Sequence, residues 1–207
     1  MKRTKRIKRV LNAYAGLGGN RKYWTNCEVT AVECDPEIAK VYSQLYPNDK
    51  VIVGDASEYL QEHFREFDFI WASPPCPSHS QYRHNVGVIG KGFNPIIPDM
   101  TTLYGAIIFL KTYFDGLWVI ENVKPYYGTL VEPAFEMHRH LFWGNFVAEK
   151  KKGFKPAEIR SKNKISDFAG YEVVAASKIK NKRQVLRNCV DSKLGLHVFE
   201  CAVRAKE

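Results

Sequence analysis

Cys76 stands in WASPPCPSHS (71–80), behind Pro74 and Pro75 and ahead of Pro77, where an apolar run ends. Prolines fix the backbone on both sides and remove amide donors. A thiol packed for volume does not need that constraint; a thiol held for reaction does. A thiolate is a strong nucleophile whose reactivity depends on a lowered pKa and on access, and a strand end facing a cleft beside a helix N-terminus is expected to provide both. About 45 residues later, Glu121 follows the apolar LWVI in ENV. An acid at the end of a buried strand is expected with a raised pKa, suited to donating a proton or a hydrogen bond. Thiol attack on an electron-poor ring is easier when a ring nitrogen is protonated at the same time, which gives the pair a joint purpose.

Three further turns point to a nucleoside ligand. NAYAGLGGN (12–20) is glycine-rich and directly follows an apolar run, so its backbone can turn tightly and approach a ligand closely. Arg21 stands where GxGxxG would have its third glycine, which disfavours a dinucleotide. Glu33, in VECDP, is placed to accept from two ribose hydroxyls, and Asp35 suits a helix cap better. Asp55, in VGDAS, either accepts from an adenine amine or caps the next helix; both readings stand.

Strand-like and helix-like patterns alternate around these residues. Strands are expected at 9–14, 29–34, 50–55, 67–73, 117–123 and 140–146. Helices are expected at 36–46, opened by Pro36, at 57–64, at 99–114 with Asp99 as cap, and at 191–205. The alternation implies an α/β fold with a mostly parallel sheet covered on both faces. In such sheets ligands bind beyond the carboxyl ends of the strands, where Gly16, Glu33, Asp55, Cys76 and Glu121 all fall. Residues 78–98, with three glycines, are expected to form a loop beside the site, and 149–182 are basic and weakly patterned.

Length and composition set the frame. A chain of 207 residues, 45% apolar and 26% charged, suits one globular domain. No apolar run approaches the ~20 residues that span a bilayer. The basic MKRTKRIKRV has no apolar segment behind it and is not a secretory signal. Five cysteines without CxxC or zinc-ligand spacing imply no metal site, free thiols and a reducing, cytoplasmic compartment. The net charge of +9 gathers at Lys2–Arg9, Lys150–Lys164 and Lys178–Arg187 and suggests a polyanionic partner, most simply nucleic acid.

The ordered motifs resemble the DNA (cytosine-5)-methyltransferases, particularly compact phage or prophage members. NAYAGLGG is similar to the family's first, cofactor-binding motif, and VECD and VGDA to the second and third. SPPCPSHS is similar to its Pro-Cys catalytic motif and ENV to its Glu-Asn-Val motif. HRHLFWGNF is similar to the Arg-containing motif, and RQVLRNCV to the late Arg-Gln and Asn-x-Val motifs. The resemblance covers about residues 9 to 204. It implies a Rossmann-like S-adenosylmethionine-dependent methyltransferase fold, with S-adenosylhomocysteine as product and double-stranded DNA as partner. By resemblance, Cys76 attacks carbon 6 of a flipped-out cytosine, Glu121 hydrogen-bonds ring nitrogen 3 and the exocyclic amine, and Arg139 serves the same site. Tyr14, Ala15, Gly16, Gly18, Gly19, Glu33, Cys34, Asp55, Ala56 and Pro75 line the cofactor, and Asn188 and Val190 its methionine end.

The chain departs from the family at three places. Pro77 follows the cysteine where a polar residue is usual. Glu136, His138 and His140 stand at the positions of the family's Gln-x-Arg-x-Arg, with Arg139 between the last two. The target-recognition region is reduced to a basic 147–182, in a single domain of 1–207 with a basic arm at 1–8. The oligomeric state is left open. An RNA cytosine-5 methyltransferase, an exocyclic-amine methyltransferase (whose Asp- or Ser-Pro-Pro-Tyr is one residue from SPPC) and an inactive DNA-binding relative are the alternatives.

Overall fold

Residues Arg9–Ala13 (β1) send Val10 and Asn12 to one side and Leu11 and Ala13 to the other, and all but Arg9 are buried. Burial on both faces marks an inner strand of a parallel sheet. The computed structural model describes residues 7–81, 84–85, 97–149 and 170–206. It places β1 among β2 (Glu28–Glu33), β3 (Lys50–Val53), β4 (Phe69–Ala72), β5 (Leu117–Val123), β6 (Phe135–Met137) and β7 (His140–Gly144). The order is β3-β2-β1-β4-β5-β7-β6; the first five are parallel, and β7 runs antiparallel to both β5 and β6. The chain leaves β1 toward β3 and returns to β4 on β1's other side. The crevice beyond the ends of β1 and β4 is therefore the topological switch point.

Four helices begin at an aspartate whose side chain accepts from the first-turn amides: α1 (Pro36–Leu45) at Asp35, α2 (Ala56–His63) at Asp55, α3 (Met100–Tyr113) at Asp99 and α6 (Ser192–Ala205) at Asp191. Each satisfies donors that the helix cannot pair internally. α6 packs with Trp24 on the face carrying Val10, Phe69, Trp71, Val119 and Phe142. α2 and α3 cover the opposite face, which carries Leu11, Ile70, Ile120 and Trp143.

The Asp99 cap also reaches the cysteine loop, because its amide donates to Ser78 Oγ at 3.1 Å. Thr101 and Thr102 hold the Asp99 carboxyl down to about 2. Asp99→Ala is expected to cost about 1 kcal/mol of unfolding free energy at neutral pH, read from denaturant midpoints. A depressed carboxylate stabilises the fold above its unfolded pKa and loses that contribution as pH falls through its folded value. The gap between wild type and variant should therefore close as pH falls from about 4 toward about 2.

Three elements differ from the sequence expectation. β6 was not expected, and it places the 140–144 strand inside the sheet rather than at its edge. The weakly patterned 149–182 contains α4 (Tyr171–Ala176), and α5 (Lys182–Asn188) follows it. These short helices seat Val174 and Leu186 in a cluster with Leu17 and Val41, so packing rather than periodicity creates them. Most of the expected arm at 1–8, loop at 78–98 and recognition region at 147–182 lies outside the described residues. Among the described residues, no helix is long and apolar enough to cross a membrane. Nor does any group of His, Cys, Asp and Glu among them have the arrangement to hold a metal. All five cysteines are free.

Candidate active site

The glycine-rich turn is built by its own backbone and by Glu33. Gly16 and Gly18 take positive φ, and a Cβ on Gly18 would meet the Tyr46 and Tyr42 rings at 2.5 and 2.6 Å. Glycine is therefore required there twice over. Glu33 Oε2 accepts from the Gly16 amide at 2.9 Å, and its Oε1 accepts from the Asp35 amide at 2.9 Å and from the Cys34 thiol at 3.5 Å. A carboxylate has about four lone-pair positions, so Oε2 keeps acceptor capacity. Burial, then the Glu33 charge, push the Cys34 thiol up. Space beside Gly16 and Gly54 is open within 4 Å. Tyr14, also at positive φ, pairs its hydroxyl with Ser57 Oγ at 2.6 Å. Asp55 Oδ1 caps α2, with Ala56 its first residue. The capping alternative is therefore the one the geometry displays.

Arg21, the residue that breaks GxGxxG, clamps this turn. Its Nε and Nη2 donate to Asp49 at 2.9 and 2.8 Å, and its Nη1 donates to the Trp24 carbonyl at 2.7 Å. On the far side, Gly19 lies against Val190, whose carbonyl would sit 2.5 Å from an added Cβ. The RQVLRNCV segment thus meets the glycine-rich turn. Val190 is buried and Asn188 is exposed.

Across the switch point, the Pro-Cys loop is fastened to the element behind it. Asn122 Nδ2 donates to the Pro74 carbonyl at 3.0 Å, and its Oδ1 accepts from the Val123 amide at 2.9 Å. His79 pairs with the Tyr127 hydroxyl at 2.5 Å, and its carbonyl accepts from the Tyr126 amide at 3.1 Å. Strand alternation turns Glu121 and Asn122 to opposite faces. One faces the site while the other pins the loop two residues before Cys76. The sequence reading used Glu121 and passed over Asn122, which period-two alternation could have assigned.

The expectation of a depressed Cys76 pKa is corrected. Burial pushes the thiol up first, and the Glu121 charge adds to it; hydrogen bonding by the Cys76 amide and the Arg139 charge oppose both. At rest the thiol is protonated. Alkylation of Cys76 by iodoacetamide should be slower near pH 7 than that of a free cysteine. It should accelerate through the alkaline range, above the ordinary thiol pKa of about 8.5. Mass spectrometry of the modified peptide reads this directly.

Glu121 is 6% exposed, and its Oε1 pairs with His140 Nδ1, itself 9% exposed. Arg139 Nε points at His140 Nε2 at 3.1 Å, and Arg139 Nη2 donates to the Arg187 carbonyl at 3.2 Å. The Gln-x-Arg-x-Arg counterpart therefore contributes a buried imidazole to the acid. Sequence matching aligned His140 but gave no sign of this partner. Among the described residues, Glu136 pairs with Lys124 at 3.4 Å instead.

A mostly parallel sheet with a glycine-rich turn on one side of the switch point and a proline-held cysteine on the other defines a Rossmann-like S-adenosylmethionine-dependent methyltransferase fold. Within that class the chain belongs to the C-5 cytosine-specific DNA methylase family, whose model matches residues 9–129 and so spans Cys76 and Glu121. No curated protein matches the chain. Among solved structures it is similar to a DNMT2 mutant of Spodoptera frugiperda, at 20% identity and TM-score 0.40 over 56% of this chain and 36% of that one. It is also similar to the methyltransferase EhMeth of Entamoeba histolytica, at 17% and 0.37 over 57% and 39%. A third is the Dnmt2 methyltransferase of S. pombe, at 19% and 0.38 over 57% and 34%. The match thus extends over less than two fifths of each of these structures.

Proposed function

We propose that the protein methylates carbon 5 of cytosine in double-stranded DNA, with S-adenosylmethionine as methyl donor. The observation that carries this reading is the 3.0 Å bond from Asn122 to the Pro74 carbonyl. It fixes the cysteine loop beside the strand end that bears Glu121. The nucleophile, in the loop after β4, and the acid, on β5, are thereby held side by side, opposite the glycine-rich turn.

The donor set on that turn fits an adenosyl group. A Cβ on Gly16 or Gly54 would meet no atom within 4 Å, and Glu33 Oε2 keeps acceptor capacity for a ribose hydroxyl. By the family resemblance, Tyr14, Ala15, Gly18, Gly19, Cys34, Asp55, Ala56 and Pro75 would line the adenosyl group, and Asn188 and Val190 the methionine end. Bound there, S-adenosylmethionine supplies an electrophilic methyl group.

The chain's own residues do the rest. The Cys76 sulfur bonds to carbon 6 of the flipped cytosine as its proton passes to Glu121, the acid whose charge acts on the thiol. Electrons of the 5–6 double bond move through the ring, and nitrogen 3 takes a proton through Glu121. Carbon 5 then holds the electron density and accepts the methyl group. Loss of its hydrogen as a proton and cleavage of the sulfur–carbon 6 bond restore the ring and the thiol. α5 carries Lys182, Arg183 and Arg187 next to Arg139, a charge pattern suited to phosphate.

The test is transfer of labelled methyl to duplex DNA and, separately, to transfer RNA, followed by nucleoside mass spectrometry. 5-Methyldeoxycytidine from wild type and none from Cys76→Ser supports the reading. N4-methyl product, RNA-only product, or activity that survives Cys76→Ser overturns it.

A further inference from the structure

A buried imidazole holds one oxygen of the acid, and an arginine decides how. Arg139 Nε can only donate, so His140 Nε2 must be the acceptor at 3.1 Å and carries no proton. The proton of the neutral ring is then on Nδ1, which donates to Glu121 Oε1. This tautomer is assigned from the hydrogen-bond network. It leaves Glu121 with Oε1 occupied and Oε2 available to the base.

We propose that His140, locked as its Nδ1–H tautomer by Arg139, is the positioning residue that orients Glu121 toward the base. The kinetic consequence rests on the methyltransferase reading; the tautomer does not. Of the charged and titratable groups around the ring, Glu121 comes from β5 and Arg139 from the β6–β7 turn, directly after His138. Cys76 sits across the site, within reach of both the Glu121 and Arg139 charges. Lys124 gives its amide to the Arg139 carbonyl while its ammonium pairs with Glu136, and α5 contributes the Arg187 carbonyl to Arg139.

Without the Nδ1–H donor Glu121 stays in the site but is no longer held toward the base, so the loss should fall on kcat rather than appear as a rise in KM. His140→Asn retains a donor near the Nδ1 position. His140→Leu removes the donor altogether.

Two readouts on the full chain decide the matter. Long-range ¹H–¹⁵N correlation spectra should show His140 as Nδ1–H near neutral pH in wild type, and a shift toward the Nε2–H form in Arg139→Ala. Methyl transfer by His140→Leu should drop about 10²-fold in kcat with KM unchanged. His140→Asn should stay within about 5-fold of wild type. An Nε2–H ring in wild type, a tautomer indifferent to Arg139→Ala, or His140→Leu with wild-type kcat overturns the proposal. So does a loss in His140→Asn as large as that in His140→Leu. If the tautomer is found but wild type transfers no methyl group to cytosine, the failure belongs to the functional reading and the imidazole clamp stands.

Discussion

Glu121→Gln is expected to slow methyl transfer by about 10²–10⁴-fold while making the Cys76 thiol easier to ionise. The two effects have opposite signs because Glu121 acts on two partners. Toward the base it is the group that passes a proton to ring nitrogen 3, which an amide cannot do. Toward Cys76 it is a negative charge that, after burial, pushes the thiol up. Removing the charge therefore lowers the thiol pKa and speeds iodoacetamide alkylation near pH 7. The amide still accepts from His140 Nδ1–H through its oxygen, so the fold is kept. Single-turnover transfer and peptide alkylation, measured on the same preparation, check both signs. Slower transfer without faster alkylation would mean that the glutamine rearranges the site rather than neutralises it.

Asp49→Ala is expected to lower the unfolding free energy by about 3–5 kcal/mol. The Asp49 carboxylate is 2% exposed and the Arg21 guanidinium 13%. Asp49 takes two hydrogen bonds from Arg21 and one from the Tyr42 hydroxyl at 2.9 Å. Without it, a cation is left largely out of water with the Trp24 carbonyl as a hydrogen-bond acceptor and the Tyr46 ring 5.6 Å away. Domains of this size are stable by about 5–15 kcal/mol, so the loss is a large share of the total. At about 2–4 °C per kcal/mol, the Tm should fall by roughly 6–20 °C, which calorimetry or circular dichroism resolves. Replacing both residues by apolar ones should recover part of the loss, since no charge is then stranded. A fall below about 1 kcal/mol would place the pair among solvent-screened ion pairs. Because the clamp sits at the end of the glycine-rich turn, the same variant should also bind adenosyl ligands more weakly.

The five parallel strands were legible because each is a short β-branched or aromatic run that ends in a turn, and FIWA and LWVI are apolar on both faces. β6 was not. Its three residues alternate only once, and it exists because Phe135 and Met137 find partners on β7. α4 and α5 are only 6 and 7 residues long, too short for a helical period to show, and docking against α1 and Leu17 makes them. In the site, Cys76 and Glu121 could be seen because proline and strand-end signals are local. The supports could not. Arg21 and Asp49 are 28 residues apart, Asn122 reaches a carbonyl 48 residues away, and His140 meets an acid 19 residues before it. The resting state of the thiol was misjudged for the same reason. Sequence shows the prolines beside Cys76, whereas its proton is held by burial and by a carboxylate on the next strand.

Covalent trapping tests the central claim most directly. The protein and S-adenosylmethionine are incubated with duplex DNA containing 5-fluorocytosine, denatured, and digested for mass spectrometry. Fluorine at carbon 5 blocks the last elimination, so an enzyme that attacks carbon 6 stays bound to its substrate. The expected result is an adduct on Cys76 that requires the methyl donor and disappears in Cys76→Ser. Absence of an adduct under conditions where the protein transfers methyl groups to DNA, or an adduct on another residue, would contradict the account.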